Sequence, residues 1–212
     1  MKPLVMVGAG PGSLPRIIAE AAAARGAPLA GYLDAEEDPQ PPTTPIPRLG
    51  DQTLLEDAGF LSAHDLVLGV QGRVRRALAE AILARGGRLP VIVHPAATVS
   101  TTARIGDGTI LSAGVIVQSD TRIGRLCVLN TACTVDHDNL VGDEVSIAPG
   151  AHTAGRVTIQ DGAFIGLGAV IINNVVVGAR ATVGAGAVVT RDVPEGATVV
   201  GNPARVLPKK DS

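Results

Sequence analysis

The 212-residue chain carries a formal net charge of -2 with 18% charged residues, so it has no basic field to hold nucleic acid or an anionic membrane. Residues 1–11 hold one lysine and a short apolar run broken by glycines, unlike a signal peptide, and no stretch approaches the length of a membrane span. Two cysteines, Cys127 and Cys133, in a chain read as lacking an export signal point to a reduced, cytoplasmic setting without disulfides.

Twenty-six glycines accompany only 1% aromatic residues in a chain that is 46% hydrophobic. Such a core consists of small and branched aliphatics, which suits a narrow interior of stacked, similar layers. Repeats are therefore the first organisation to look for.

Residues 1–90 lack a repeat and alternate strand and helix, which predicts an α/β, Rossmann-like domain with parallel strands. Pro3–Val7 reads as a buried strand, followed by Gly8-Ala9-Gly10-Pro11-Gly12. A helix follows, with Ser13 as N-cap, Pro15 in its first turn and Gly26 just past its end. Pro28–Asp34 and Asp65–Val70 read as further strands, and a helix from about Arg73 to Arg85 leads to a last one at Leu89–Val93. The five prolines between Asp38 and Pro47 predict an exposed irregular loop. Glycines 8, 10 and 12 after a first strand present backbone N–H groups to a phosphate at a helix N-terminus, and Asp34 stands where a carboxylate accepts from a ribose or base. The motif departs from a dinucleotide fingerprint at Ser13, and the domain is short for a dehydrogenase cofactor domain. A plain tight turn with a solvated Asp34 is the alternative reading.

From residue 91 to the C-terminal tail a six-residue register takes over. Every sixth residue from Val93 to Val189 is Val, Ile or Leu, except Thr153. Four residues after each comes a small or β-branched residue, from Ala97 to Ala187, except Asn139. Neither a helix nor an ordinary strand has this period, whereas a parallel β-helix does, with three hexads to a coil. Gly106, Gly124, Gly142, Gly166, Gly178 and Gly184 follow the branched position directly, where the expectation is that a missing Cβ lets the chain bend. The spacing leaves the handedness open.

His137 sits two residues after inward Val135, in the turn part of its hexad, between Asp136 and Asp138. An imidazole there can act as a base near neutral pH, with either acid orienting the ring, although by residue type alone a plain surface histidine is an equal reading. Stepping by eighteen residues places Ser119 one coil below His137 and Gly155 one coil above, where the missing side chain leaves room for a ligand. Cys127 and Cys133 fall in the small inward register and read as core, and His64 and His152 as surface residues. The four histidines offer no close pair, so no metal site is expected, including the three-histidine kind that γ-carbonic anhydrases carry on a β-helix.

The hexapeptide register resembles the left-handed β-helix of the hexapeptide-repeat acyltransferases. The segments Asn130–Asp138, Val141-Gly142-Asp143 and Ile147–Ala151, with His94-Pro95 and Gly201–Arg205, narrow the resemblance to the NeuD/PglD-like sugar acetyltransferases over nearly the whole chain. This resemblance implies a homotrimer that binds acetyl-CoA between neighbouring β-helices and holds a nucleotide-linked sugar in its N-terminal domain. It assigns His137 as the catalytic base and Asp138 as the carboxylate that orients it, with Asp136 as rival. It makes Gly155 a backbone contact of acetyl-CoA, with Ile147 and Gly166 as further contacts, and Gly8, Gly10, Gly12 and Asp34 as the sugar-nucleotide side.

The chain departs from the family where Ser146 replaces a second histidine able to meet the acetyl carbonyl, and where Pro11 replaces a histidine. Ser146 can still donate a hydrogen bond. Lys209 and Lys210 are weak candidates for a CoA phosphate. The activity expected is N-acetylation of a nucleotide-linked amino sugar. O-acetylation with the same base, and a non-catalytic trimeric nucleotide-binding scaffold, are the alternatives.

Overall fold

The computed structural model describes residues 2–10, 12–35 and 46–208, and the chain forms two compact units, Met1–Pro95 and Ala96–Ser212. In the first unit, β1 (Leu4–Val7), β2 (Leu29–Leu33), β3 (Arg48–Gly50) and β4 (Asp65–Leu68) form one parallel sheet in the order β3-β2-β1-β4. Every residue of β1 and β4 is buried, as parallel strands covered by helices require. Helix α1 (Ser13–Ala24) turns Leu14, Ile18, Ala21 and Ala22 inward, and α3 (Gly72–Ala84), which follows the short α2 (Ala58–Ala63), buries Ala79 and Ile82.

Several sequence expectations shift here. Ser13 is the first residue of α1, not its cap; Gly12 holds the cap position and no side chain bonds the helix start. The strand expected at Leu89–Val93 shrinks to Ile92–Val93, in which Ile92 and not Val93 is buried. Three elements between the proline-rich segment and β4 were not anticipated: β3, a 3-10 turn at Gln52–Glu56, and α2. Their start signals were present, because Asp51 accepts from the Thr53 N–H and Asp57 from those of Gly59 and Phe60. The elements are too short for an apolar period to show. Of the proline-rich loop, only the end from residue 46 lies within the described residues.

The second unit is a β-helix on three faces whose strands are two residues long, except the three-residue Thr198–Val200. The first face stacks Thr98–Val99, Ile116–Val117, Thr134–Val135, His152–Thr153, Val170–Ile171 and Val188–Val189. The second runs from Arg104–Ile105 through Arg122–Ile123, Leu140–Val141 and Thr158–Ile159 to Val176–Val177, and the third carries Val128–Leu129, Ser146–Ile147 and Phe164–Ile165. Arg122 pairs with Arg104 below and Leu140 above, so the coil is eighteen residues, as the register predicts, until the last one, where Val183 pairs with Val199 sixteen residues on. The second residue of each strand points inward: from Leu111 to Val189 all are buried, while Val99 and Ile105 in the first coil are half-buried. The small register fills the corners, and burial there pushes the Cys133 thiol up to about 12.

The bend glycines need a different physical account from the one the sequence suggested. Gly106, Gly124 and Gly142 have ordinary φ; a Cβ on Gly106 would stand 2.6 Å from the Gly124 carbonyl carbon, and one on Gly124 2.6 Å from that of Gly142. They are glycine because adjacent coils touch there. The left-handed residue of each corner comes two positions later, at Asp120, Ala132, Asp138, Glu144 and Arg156 among others.

The two breaks in the register are partners. Asn139 and Thr153 are both buried, and the Asn139 amide nitrogen lies 3.2 Å from the Thr153 hydroxyl. A polar group is tolerated inside because each supplies the other with a contact that water would otherwise make.

Leu129 is fully buried between coils. Leu129→Ala should lower stability by about 2–5 kcal/mol, the cost of lost transfer energy plus a cavity, read as a reduced midpoint in thermal or urea unfolding followed by circular dichroism.

Candidate functional site

His137 stands at the corner where the chain leaves the first face at Thr134–Val135 and enters the second at Leu140–Val141. Val135 is fully buried and anchors one side, while Asp138, at φ 56, turns the corner. That left-handed conformation, which Asp tolerates better than most residues, brings the Asp138 carboxylate back onto its neighbour. Asp138 Oδ2 lies 2.8 Å from His137 Nδ1, with both side chains about half exposed. Asp136 is engaged otherwise: its Oδ1 accepts from the backbone N–H of His137 at 2.7 Å. Of the two flanking acids, Asp138 meets the ring and Asp136 shapes the backbone under it.

An imidazole that donates from Nδ1 to a carboxylate presents a lone pair at Nε2. That nitrogen lies over Gly155, where an added Cβ would stand 2.5 Å from both Nε2 and Cε1. The space opened by Gly155 is thus taken by the His137 ring itself, not left empty for a ligand as the coil stacking suggested. Ser119 supports the corner from below through its carbonyl, which accepts from the Asp138 N–H at 3.0 Å.

The other expected contacts divide. Ser146 is half-buried and faces outward from the third face, a different face from those flanking His137. The Ile147 side chain is packed in the core, and its carbonyl accepts from the Asn130 N–H. Gly166 is buried; its N–H goes to Val183 and its carbonyl takes the Ala169 N–H, while an added Cβ would stand 2.6 Å from the Val183 oxygen. Coil packing alone therefore explains Gly166. An open groove of about 470 Å³ runs along the second face towards its far corner, lined by Arg122, Leu140, Gly142, Thr158, Gln160 and Asp161 among others, without including His137.

In the first unit, Gly8 needs its freedom twice: φ is +79, and a side chain would collide with Val70. Gly10 accepts from the Gly12 N–H at 2.7 Å, and Gly12 caps α1. Asp34 holds this turn, its Oδ2 accepting from the Ala9 N–H at 3.1 Å and its Oδ1 from the Ala35 N–H at 3.0 Å. It is an organiser of the turn and not a free strand end. Pro11, Lys209 and Lys210 lie outside the described residues.

Two histidines read as plain surface residues have partners. His152 Nδ1 lies 2.9 Å from the Thr134 hydroxyl, and the His64 ring packs on Phe60 with centroids 4.3 Å apart. Among the described residues no group of three or more His, Cys, Asp or Glu side chains gathers as a metal site, and no helix is long and apolar enough to cross a membrane.

No family model and no curated protein matches the chain. Solved structures do, over nearly its whole length. The acetyltransferase domain of PglB from Neisseria gonorrhoeae FA1090 is 38% identical, covering 98% of this chain and 100% of that one with a TM-score of 0.88. PerB from Caulobacter crescentus, solved with CoA and GDP-perosamine, is 31% identical over 98% of both chains with a TM-score of 0.89. WeeI from Acinetobacter baumannii AYE is 27% identical, covering 98% of this chain and 100% of that one with a TM-score of 0.82. At that identity, coverage and fold similarity, the chain belongs to the sugar N-acetyltransferases of the hexapeptide-repeat, left-handed β-helix family.

Proposed function

We propose that this chain transfers the acetyl group of acetyl-CoA to the amino group of a nucleotide-linked amino sugar, with His137 as general base and Asp138 holding its ring. The carrying observation is the His137–Asp138 pair, with Nε2 turned over Gly155, at a corner of the β-helix. The relatives add the substrates: the PglB domain has been solved with acetyl coenzyme A, and PerB with CoA and GDP-perosamine. The Caulobacter GDP-perosamine N-acetyltransferase has also been solved with one histidine replaced by alanine.

In the reaction, the neutral amine attacks the thioester carbonyl and a C–N bond forms. Its proton passes to His137 Nε2, and the ionised Asp138 offsets the positive charge of the imidazolium through the Nδ1–H bond. Collapse of the tetrahedral adduct breaks the C–S bond, and the same proton neutralises the departing thiolate.

Donor binding requires a second wall. The second face exposes Leu140 and Val176 beside the open groove, an apolar surface that a neighbouring β-helix would cover. We read the assembly as a homotrimer with acetyl-CoA between subunits and with the Ser146 hydroxyl and Gly155 on the donor side, while Ile147 and Gly166 serve the coil packing that supports them. The first unit we read as a Rossmann-like, nucleotide-sugar-binding domain. Its parallel sheet, the Gly8 turn and the α1 start with no side-chain cap support this, because unsatisfied N–H groups at a helix start favour phosphate. The free thiols of Cys127 and Cys133 are in keeping with a cytoplasmic enzyme.

Thiol release from acetyl-CoA across a panel of amino-sugar nucleotides, with the product identified as amide or ester by mass spectrometry, tests the activity. No release with any acceptor would discard it. His137→Ala should lower turnover by about 10²–10⁴-fold, the usual worth of a positioned general base, with unchanged circular dichroism. Asp138→Asn should lose less, and Asp136→Asn less again. Gly155→Ala should also lower turnover, because its methyl occupies the place of the ring. Light scattering should return three times the monomer mass at micromolar concentration; a monomer would remove the proposed donor site.

A further inference from the structure

We propose that Asn139 is a positioning residue for His137: its buried amide locks the corner that carries the base to the corner that carries Gly155. The inference rests on reading His137 as the base. Asn139 is 1% exposed, and its Nδ2 lies 2.7 Å from the Asp136 carbonyl and 3.0 Å from the Ala154 carbonyl. These two carbonyls belong to the residues immediately before His137 and Gly155. One amide group thus holds both peptide planes that lead into the site. Its Oδ1 accepts from the Val157 N–H at 2.7 Å, which fixes the orientation of the amide, since only the oxygen can take that bond. From the coil below, the Thr121 hydroxyl donates to the same Asp136 carbonyl at 2.6 Å and accepts from the Asn139 N–H at 3.2 Å.

A comparison inside the molecule separates positioning from ordinary coil stacking. At the next corner Thr109 donates to the Gly124 carbonyl at 2.9 Å and accepts from the Cys127 N–H at 3.0 Å. These bonds run fifteen and eighteen residues up the chain, as do the bonds of Asn139 to Ala154 and Val157. A hydroxyl therefore suffices to join two coils. What asparagine adds is a second donor, aimed three residues back at the Asp136 carbonyl within its own coil. That bond has no counterpart on Thr109, and it closes the turn from Asp136 to Asn139 that contains His137 and Asp138. Nε2 stands within a side chain's reach of Gly155 only while this turn keeps its shape, and misplacement of a reacting group by about 1 Å costs about 10²-fold in rate.

The test uses the full chain and three variants. Asn139→Thr keeps both inter-coil bonds on the Thr109 pattern and drops the bond to Asp136. Asn139→Val drops all of them, and Thr109→Val removes the equivalent hydroxyl at a corner remote from His137. Turnover should fall about 10–100-fold in Asn139→Val and by a smaller, still clear factor in Asn139→Thr. KM for acetyl-CoA should hold, as expected for an interaction that serves the transition state. Thr109→Val should lose comparable thermal stability to Asn139→Val with turnover within about twofold of the parent. The chain has four histidines, so ring ¹⁵N signals can be assigned to His137. They should report the Nδ1–H tautomer in the parent and Thr109→Val, and a mixture in the Asn139 variants. If Asn139→Val does not fold, Asn139→Thr decides by the same measurements. Parent-like turnover and ring signals in the Asn139 variants, or an equal loss of turnover in Thr109→Val, overturn the proposal. If the parent transfers no acetyl group to any acceptor, the reading of His137 as base fails instead, and the ring signals alone decide whether Asn139 sets its position.

Discussion

The inter-coil hydrogen-bond ladder is the constraint on which the second unit depends. Arg122 N–H bonds the Asn139 carbonyl, Gly124 bonds Val141, and the same step recurs from strand to strand up to Ile172. Because these bonds join residues at a constant offset as far as Ile172, a residue's vertical neighbours there are set by its number alone; the step shortens only in the last coil, where Thr182 bonds Ala197. A single inserted residue would turn every later inward side chain to a wrong position. The core itself is undemanding, being small and branched aliphatics repeated coil after coil, so its outward residues and corners are free to carry chemistry.

The His137 corner uses that freedom. The left-handed Asp138 puts a carboxylate on the ring nitrogen, and Gly155 one coil above supplies the bare backbone over which the imidazole lies. Buried polar groups under the corner are satisfied by carbonyls that the coil geometry leaves within reach, so the asparagine costs little where a lone amide in an aliphatic core would cost several kcal/mol. The ring partner is half exposed, and its interaction with Asp138 serves orientation more than stability.

In the first unit, legibility followed element length. The strands and helices around Val7, Leu33, Leu68 and Ile82 each carry enough apolar residues to show a period and punctuation. The stretch from Arg48 to Ala63 does not, since three short elements alternate faster than any window can resolve and are held by aspartate caps and contacts distant in sequence. Gly12 in place of Ser13 as helix cap is a related case: the backbone path of the turn decides which residue is half in the helix, and that path depends on Asp34, more than twenty residues away.

By itself the sequence determined the β-helix, its eighteen-residue coil, the inward register and the corner that bears His137, because those follow from a period that needs no knowledge of distant contacts. It also named Asp138 and Gly155, one by resemblance and one by counting coils. Only the tertiary structure decided between Asp136 and Asp138, since two acids flanking a histidine look alike until φ at the corner directs one to the ring and the other to the backbone. Only the tertiary structure showed that the repeat glycines answer to close coil contact, that Gly155 makes room for the imidazole, and that Asn139 and Thr153 meet in the core. Those outcomes depend on the direction of side chains across stacked coils, and a one-dimensional register records which residues share a column without recording where they point.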